Sequence, residues 1–350
     1  MKTLVSVFAL LLGAVPLSAQ VAYLQDGHAD LAIRFSAGVA ERLQLAIEND
    51  NTGSAYQSNQ VVLVVTERSR FELPPETPFG DAGDPLWILP QTQEDDVLFL
   101  GFSTESITPG ALSGSPLLAL KGIDLPGRDL AYEASFFAWQ AGQFGSFDVV
   151  MDTTDGIDAA DQVTLQVPSH AHFNLGFSSA GLWHVTLQAA GVVAGEAATT
   201  LGPETTFTFH VLPLNPFEQW QATNWPPSTP RQIIGAEADP DGDRITNEFE
   251  YALGLNPNSA DASPILAIST RIDGGASVAE ITYTRSKSAS NVALEIASAE
   301  TLVDPVWQSS GNVVTVQDNG ATETVTVRDP SPVTSTASRF YRLRLTRLGL

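Results

Sequence analysis

The sequence predicts an all-β protein: two β-sandwich domains joined by a short EF-hand-like calcium-loop and helix module. Three observations predict it. Short β-branched and aromatic runs recur in both halves of the chain, separated by clusters of Gly, Pro, Asp and Ser. Apolar spacing at the 3.6-residue period of a helix is scarce. One segment, residues 214–261, breaks the pattern with an aromatic and proline-rich opening, an acidic loop and one short helical stretch.

Residues 1–19 read as a secretory signal peptide. Lys2 supplies the positive start, Leu4 to Val15 form a short apolar core, and Ser18 and Ala19 provide small residues for cleavage before Gln20. Leu17 at the −3 position is larger than the ideal. An exported chain, secreted or held at the cell surface, is therefore expected. No second apolar run is long enough to span a bilayer, so no transmembrane segment is expected after cleavage.

The first sandwich is expected over residues 20–213. Gln60–Thr66 is a continuous apolar run, the pattern of a strand buried on both faces. Residues 96–103, 132–139, 147–152, 162–167, 182–189 and 205–212 read as further strands. In the last of these Phe207 and Phe209 share one face. The linker over 214–261 holds a helix at Thr246–Leu253. Residues 262–350 return to six short runs, at 265–271, 279–285, 292–297, 313–318, 322–327 and 339–345, enough for a small sandwich.

Composition limits the chemistry. The chain has no cysteine, which removes disulfides, thiolate metal sites and cysteine nucleophiles. Acidic residues outnumber basic ones by 40 to 17, for a net charge of −23. A field of that sign repels phosphate backbones, so nucleic acid is not expected as a partner. It favours cations. No nucleophile-elbow, phosphate-loop or dinucleotide fingerprint occurs, and a non-enzymatic binding protein is expected.

Asp239–Glu250, DPDGDRITNEFE, has the spacing of a twelve-residue calcium loop. Asp239, Asp241 and Asp243 stand at positions 1, 3 and 5. Ile245 would offer its carbonyl at position 7, Asn247 stands at position 9 and Glu250 offers a bidentate carboxylate at position 12. Calcium is hard and takes six to eight oxygens, which alternating carboxylates in a tight loop can bring to one point. Arg244 occupies the sixth position, where the sharp turn favours Gly.

Five histidines occur. His170 and His172, two residues apart in VPSHAHFNLGF, would point to one side of a strand about 7 Å apart. His28 and Asp30 in DGHADL would do the same. Brought together, these residues offer three imidazoles and a carboxylate, a donor set suited to zinc or a similar divalent metal. Asn174 joins that face if the strand continues. His184 and His210 stand singly and read as structural. Of the tryptophans, Trp220 and Trp225 read as exposed or interdomain.

Two family resemblances rest on these segments. GHADL, FGDAGDPLWILPQTQ, LFLGFST and VPSHAHFNLGFSSAGLWHVTLQAAG, in that order, resemble the bacterial choice-of-anchor M domain, also described as an actinobacterial surface-anchored repeat domain. The likeness spans about residues 21–212. It departs at Leu175, where Trp is usual, and at Trp183, where Tyr is usual. It implies a cell-surface β domain whose polar signature falls on His28, Asp30, His170, His172 and Asn174. It also implies surface or envelope components as partners, with metal-uptake machinery among them. The stretch ADPDGDRITNEFEYALGLNP, with Tyr283-Thr284-Arg285, Trp307 and Arg339–Leu343, resembles the acidic-loop and terminal β segment of exported Verrucomicrobia proteins. That likeness covers about 217–350 and implies a surface or secretion-associated tail. The reading is an exported metal-binding surface protein with a calcium-stabilised loop. Its alternatives are an adhesin or glycan-binding protein with structural histidines, and a metal-dependent hydrolase.

Overall fold

Strands form where β-branched and aromatic residues alternate or run together, and the chain is mostly β. The computed structural model describes residues 20–129, 132–142, 145–261, 263–334 and 338–348. The expected signal peptide lies outside the described residues. No helix among the described residues is long and apolar enough to cross a membrane.

Residues 22–211 build three sheets around one core. The largest runs Ala22–Leu24, Val61–Val65, Thr205–Val211, Gly181–Val192, Leu117–Asp124, Gln162–Thr164, with Thr199–Leu201 paired to Gly181–Val192. A five-stranded sheet runs Phe147–Asp152, Phe136–Ala141, Asn174–Phe177, Pro85–Leu89, Arg70–Glu72. The other runs His170–His172, Leu98–Ser103, Gly27–Phe35, Leu43–Asn49, Ser54–Tyr56. All three send apolar side chains into the same interior, among them Leu63, Trp183 and Phe209, Phe136 and Phe177, and Leu31, Ile47 and Phe102. Val61–Val65 is buried along its whole length, as a continuous apolar run requires.

Strand alternation separates the two faces of the histidine-bearing sheet. Ala29, Leu31 and Ile33 enter the core with Leu98, Leu100 and Phe102. His28, Asp30, Phe99 and Gly101 therefore lie on the opposite face. Phe173 is buried in the core, between the strand that ends at His172 and the strand that begins at Asn174. Asn174 consequently belongs to the other five-stranded sheet. Its Oδ1 accepts from the Gln91 backbone N–H and its Nδ2 donates to Gln91 Oε1. It does not extend the His170–His172 face.

The segment 214–261 is more ordered than its proline content suggests. Asn215 caps the helix Pro216–Asn224 through a reciprocal bond with Glu218. That helix lies over the outer face of the largest sheet, where Trp225 and Pro226 stand beside His184 and His210. Fully buried Glu218 pairs with Arg128 at 3.1 Å, and Arg231 bonds Asp124 and the carbonyls of Leu125 and Arg128. Trp220 packs its ring against Phe217, Trp225 and Tyr251.

The C-terminal strands form a four-stranded sheet, Ala267–Asp273, Ala276–Ser286, Thr322–Pro332, Asn312–Asp318, and a three-stranded one, Gln308–Ser309, Val292–Ala299, Phe340–Arg347. They share a second core of Ile281, Tyr283, Ile296, Val325, Val327 and Leu343. Leu253 belongs to this core, and Ile245 and Phe249 pack on it. The acidic loop and its helix Asn247–Leu253 are thus continuous with the C-terminal core rather than a free hinge.

Candidate metal centre

Strand register assembles the histidine cluster. Gly27–Phe35 runs parallel to Leu98–Ser103, which sets Asp30 beside Gly101 and His28 beside Phe99. His170–His172 runs antiparallel on the other side of that strand, which sets His172 beside Gly101 and His170 beside Ser103. Asp30, Gly101 and His172 therefore form a row across three strands. The ring centroids of His28, His170 and His172 stand 5.0 to 5.4 Å apart. One nitrogen from each of the three lies within 4.8 Å of the others. Ligands on one ion, with bonds of about 2.0–2.1 Å, lie within about 4 Å of each other, so side-chain adjustments of under about 1 Å would close the set.

Gly101 makes the space. A Cβ there would stand 2.2 Å from Asp30 Oδ1 and 3.2 Å from His172 Nε2. Phe99 closes one side, stacked on His172 at 3.6 Å between ring centroids. Several atoms of the cluster are buried without a hydrogen-bond partner: His28 Nε2, Asp30 Oδ1, and both ring nitrogens of His172; of these, Asp30 Oδ1 and His172 Nε2 border the space over Gly101. Orphaned buried polar atoms are uncommon, and an ion is one of the things that satisfies them. Burial pushes the Asp30 carboxyl up to about 6, against the pull of His28 and His170. Burial, then the neighbouring His28 and His170, pushes His172 down to about 4. The nearby Leu100 backbone opposes that shift, yet it lies outside hydrogen-bond geometry. A neutral imidazole is the form that ligates a metal.

Two carboxylates that the sequence did not point to stand behind the ring. His28 Nδ1 lies 2.8 Å from Asp50 Oδ2, which leaves Nε2 directed toward Asp30 Oδ1 at 3.7 Å. His170 Nδ1 lies 3.6 Å from Glu105 Oε1. At hydrogen-bond distance, Asp50 can fix the His28 ring and its tautomer for ligation, whereas Glu105 stands beyond that distance from His170. Neither acid has a local signature, because each is placed by tertiary folding. Gly101 does have one: a glycine inside the apolar strand LFLGFS marks a close approach.

The acidic loop gathers a second set. Asp239, Asp241 and Asp243 bring one carboxylate oxygen each within 4.8 Å of one another. Asp239 accepts from the backbone N–H groups of Gly242 and Arg244, and Asp243 from that of Ile245. Arg244 adopts φ 76°, the left-handed conformation that its position in the loop demands. Glu250 is fully buried and neither of its oxygens has a partner. Burial, then Asp241 and Asp243, pushes its carboxyl up to about 8. Asn247 is also fully buried; its Nδ2 donates to the carbonyls of Ile233 and Gly235, while its Oδ1 has no partner.

His184 and His210 are buried at the outer face of the largest sheet and belong to neither set. Compared with known protein families and with curated proteins, the chain matches none.

Proposed function

We propose that this protein is an exported, surface-associated metal-binding protein. It holds zinc or a similar divalent transition metal on His28, Asp30, His170 and His172, and calcium on the loop Asp239–Glu250. One observation supports the first part: His28, His170 and His172 bring one nitrogen each within 4.8 Å of one another, and Asp30 and His172, with buried unpartnered atoms, border the space that Gly101 leaves open. Nitrogen-rich donors with one carboxylate suit zinc far better than calcium or magnesium. The side chain of His170 is 37% exposed, so the space opens toward solvent and gives an ion a route in and out. The calcium part rests on the spacing of the loop and on the orphaned oxygens of Glu250.

The leader-like residues 1–19 and the two surface-protein resemblances support export and a role at the envelope. Metal-uptake machinery is the partner class that the first resemblance suggests. Four protein ligands at one ion favour holding it over hydrolysis, which needs a coordination position for water.

The test is elemental analysis of the chain from residue 20 after zinc loading and desalting. The expected result is about one equivalent of transition metal, lost in the double variant His170→Ala with His172→Ala. Failure of the unaltered chain to retain stoichiometric metal, or full retention by the double variant, would overturn the assignment.

A further inference from the structure

We infer that Asp261 is a ligand of the same ion as the loop Asp239–Glu250, so that this ion also fastens the segment entering the C-terminal sheets. The inference rests on the calcium reading of that loop. Asp261 lies beyond the twelve-residue loop, on the far side of the helix Asn247–Leu253. Its backbone N–H donates to Asp243 Oδ2 at 2.9 Å, which brings the residue against the loop. Its own Oδ2 is buried and has no partner. The same holds for Asp241 Oδ2 and for both oxygens of Glu250, a residue with no exposed surface.

Backbone N–H groups satisfy part of this cluster, but the oxygens left without donors on Asp241, Asp261 and Glu250 repel one another, and burial raises the cost of each charge. A hard dication removes that repulsion. The loop offers about six oxygens: one each from Asp239, Asp241, Asp243 and the Ile245 carbonyl, and two from Glu250. Asp261 supplies a further one, within the range of six to eight that calcium takes. Its position gives the ion a mechanical part. Between Asp261 and the strand Ala267–Asp273 the chain has no regular structure among the described residues. A bond from the ion to Asp261 pins the start of that stretch to the loop.

Calorimetric titration of the chain from residue 20 with calcium chloride tests this. Asp261→Ala is expected to raise Kd by about tenfold or more, since ligand count and charge set affinity in such loops. Asp261→Asn keeps the shape, guards against misfolding of the alanine variant, and is expected to weaken binding less. Glu250→Gln should bind weakly or not at all, and Glu204→Gln, at an exposed position, should bind as the unaltered chain does. Limited proteolysis across residues 255–266 should show calcium protection that both Asp261 variants lose. If both Asp261 variants bind calcium normally while Glu250→Gln does not, the inference falls and the loop reading stands. If the unaltered chain shows neither heat nor thermal stabilisation with calcium, both fall.

Discussion

A methyl group at position 101 would stand 2.2 Å from Asp30 Oδ1, closer than any non-bonded contact tolerates. Gly101→Ala therefore tests whether the space over that residue is where an ion sits. Zinc affinity, measured by competition with a chromophoric chelator, is expected to fall at least tenfold. The melting curve without metal should change little, because the obstructed atoms are side-chain ends on the face away from the core. Asp50 offers a second residue-scale test. Replacing a carboxylate that orients a metal-bound histidine typically lowers affinity 10- to 100-fold, and Asp50→Asn is expected to fall in that range by the same assay. At this scale the sequence was partly legible. The two-residue spacing of His170 and His172 set them on one face, because strand side chains alternate. Their meeting with His28 depended on Gly27–Phe35 lying parallel beside Leu98–Ser103, a pairing no local pattern encodes. Asp50, Glu105 and Asp261 were illegible for the same reason.

Elements show where local rules prevail and where tertiary packing overrides them. The run Val61–Val65 and the alternation around Phe207 and Phe209 became strands as their patterns required. The stretch after Leu214, dense in Pro and aromatic residues, concealed the capped helix Pro216–Asn224, although Asn215 and Glu218 have the spacing of a reciprocal cap. Asn174 would have joined the histidine face had the strand continued, but Phe173 is taken into the core and a separate strand begins at Asn174. Arg244 carries the element-scale prediction. It is exposed and holds φ 76°, which costs a non-glycine residue about 1 kcal/mol. Arg244→Gly is expected to stabilise the folded chain by about 0.5–1 kcal/mol in urea titrations with calcium present. It should also tighten calcium binding, because the loop then reaches its turn without strain.

Across the whole molecule, two cores are bridged by the linker, and Arg347 touches all three parts. It pairs with Asp129 beside the large sheets and with Glu237 and Glu248 beside the acidic loop, from the last strand of the C-terminal sheets. His184 and His210 lie under the linker helix, and their titration belongs to this scale. Burial pushes each down to about 4, from an ordinary value of 6.5. The unfolded chain takes up their protons below about pH 6.5, whereas the folded chain resists until about pH 4. Their contribution to stability is therefore intact above pH 6.5 and is lost as pH falls through that window, by up to about 3 kcal/mol for each group. Urea denaturation between pH 7 and pH 4.5 should show this loss. His184→Gln with His210→Gln should make the profile shallower, leaving the part that His172 contributes, and an unchanged slope in that variant would place the acid sensitivity elsewhere.

The face on which the histidines stand has a consequence for any ion held there. Their sheet turns its apolar side inward and its His28, Asp30, His170 and His172 side outward, so an ion held there would rest on a surface that the core has already built. On the proposed function, such an ion could leave and return without any strand separating, and an emptied molecule would remain folded. An ion on the acidic loop would have the opposite standing. The helix that ends the loop places Leu253 in the C-terminal core, so the departure of such an ion would loosen the chain itself. Of the two proposed metals, one would be carried and the other built in. Mild chelation should separate them, stripping the carried ion while the C-terminal sheets stay intact.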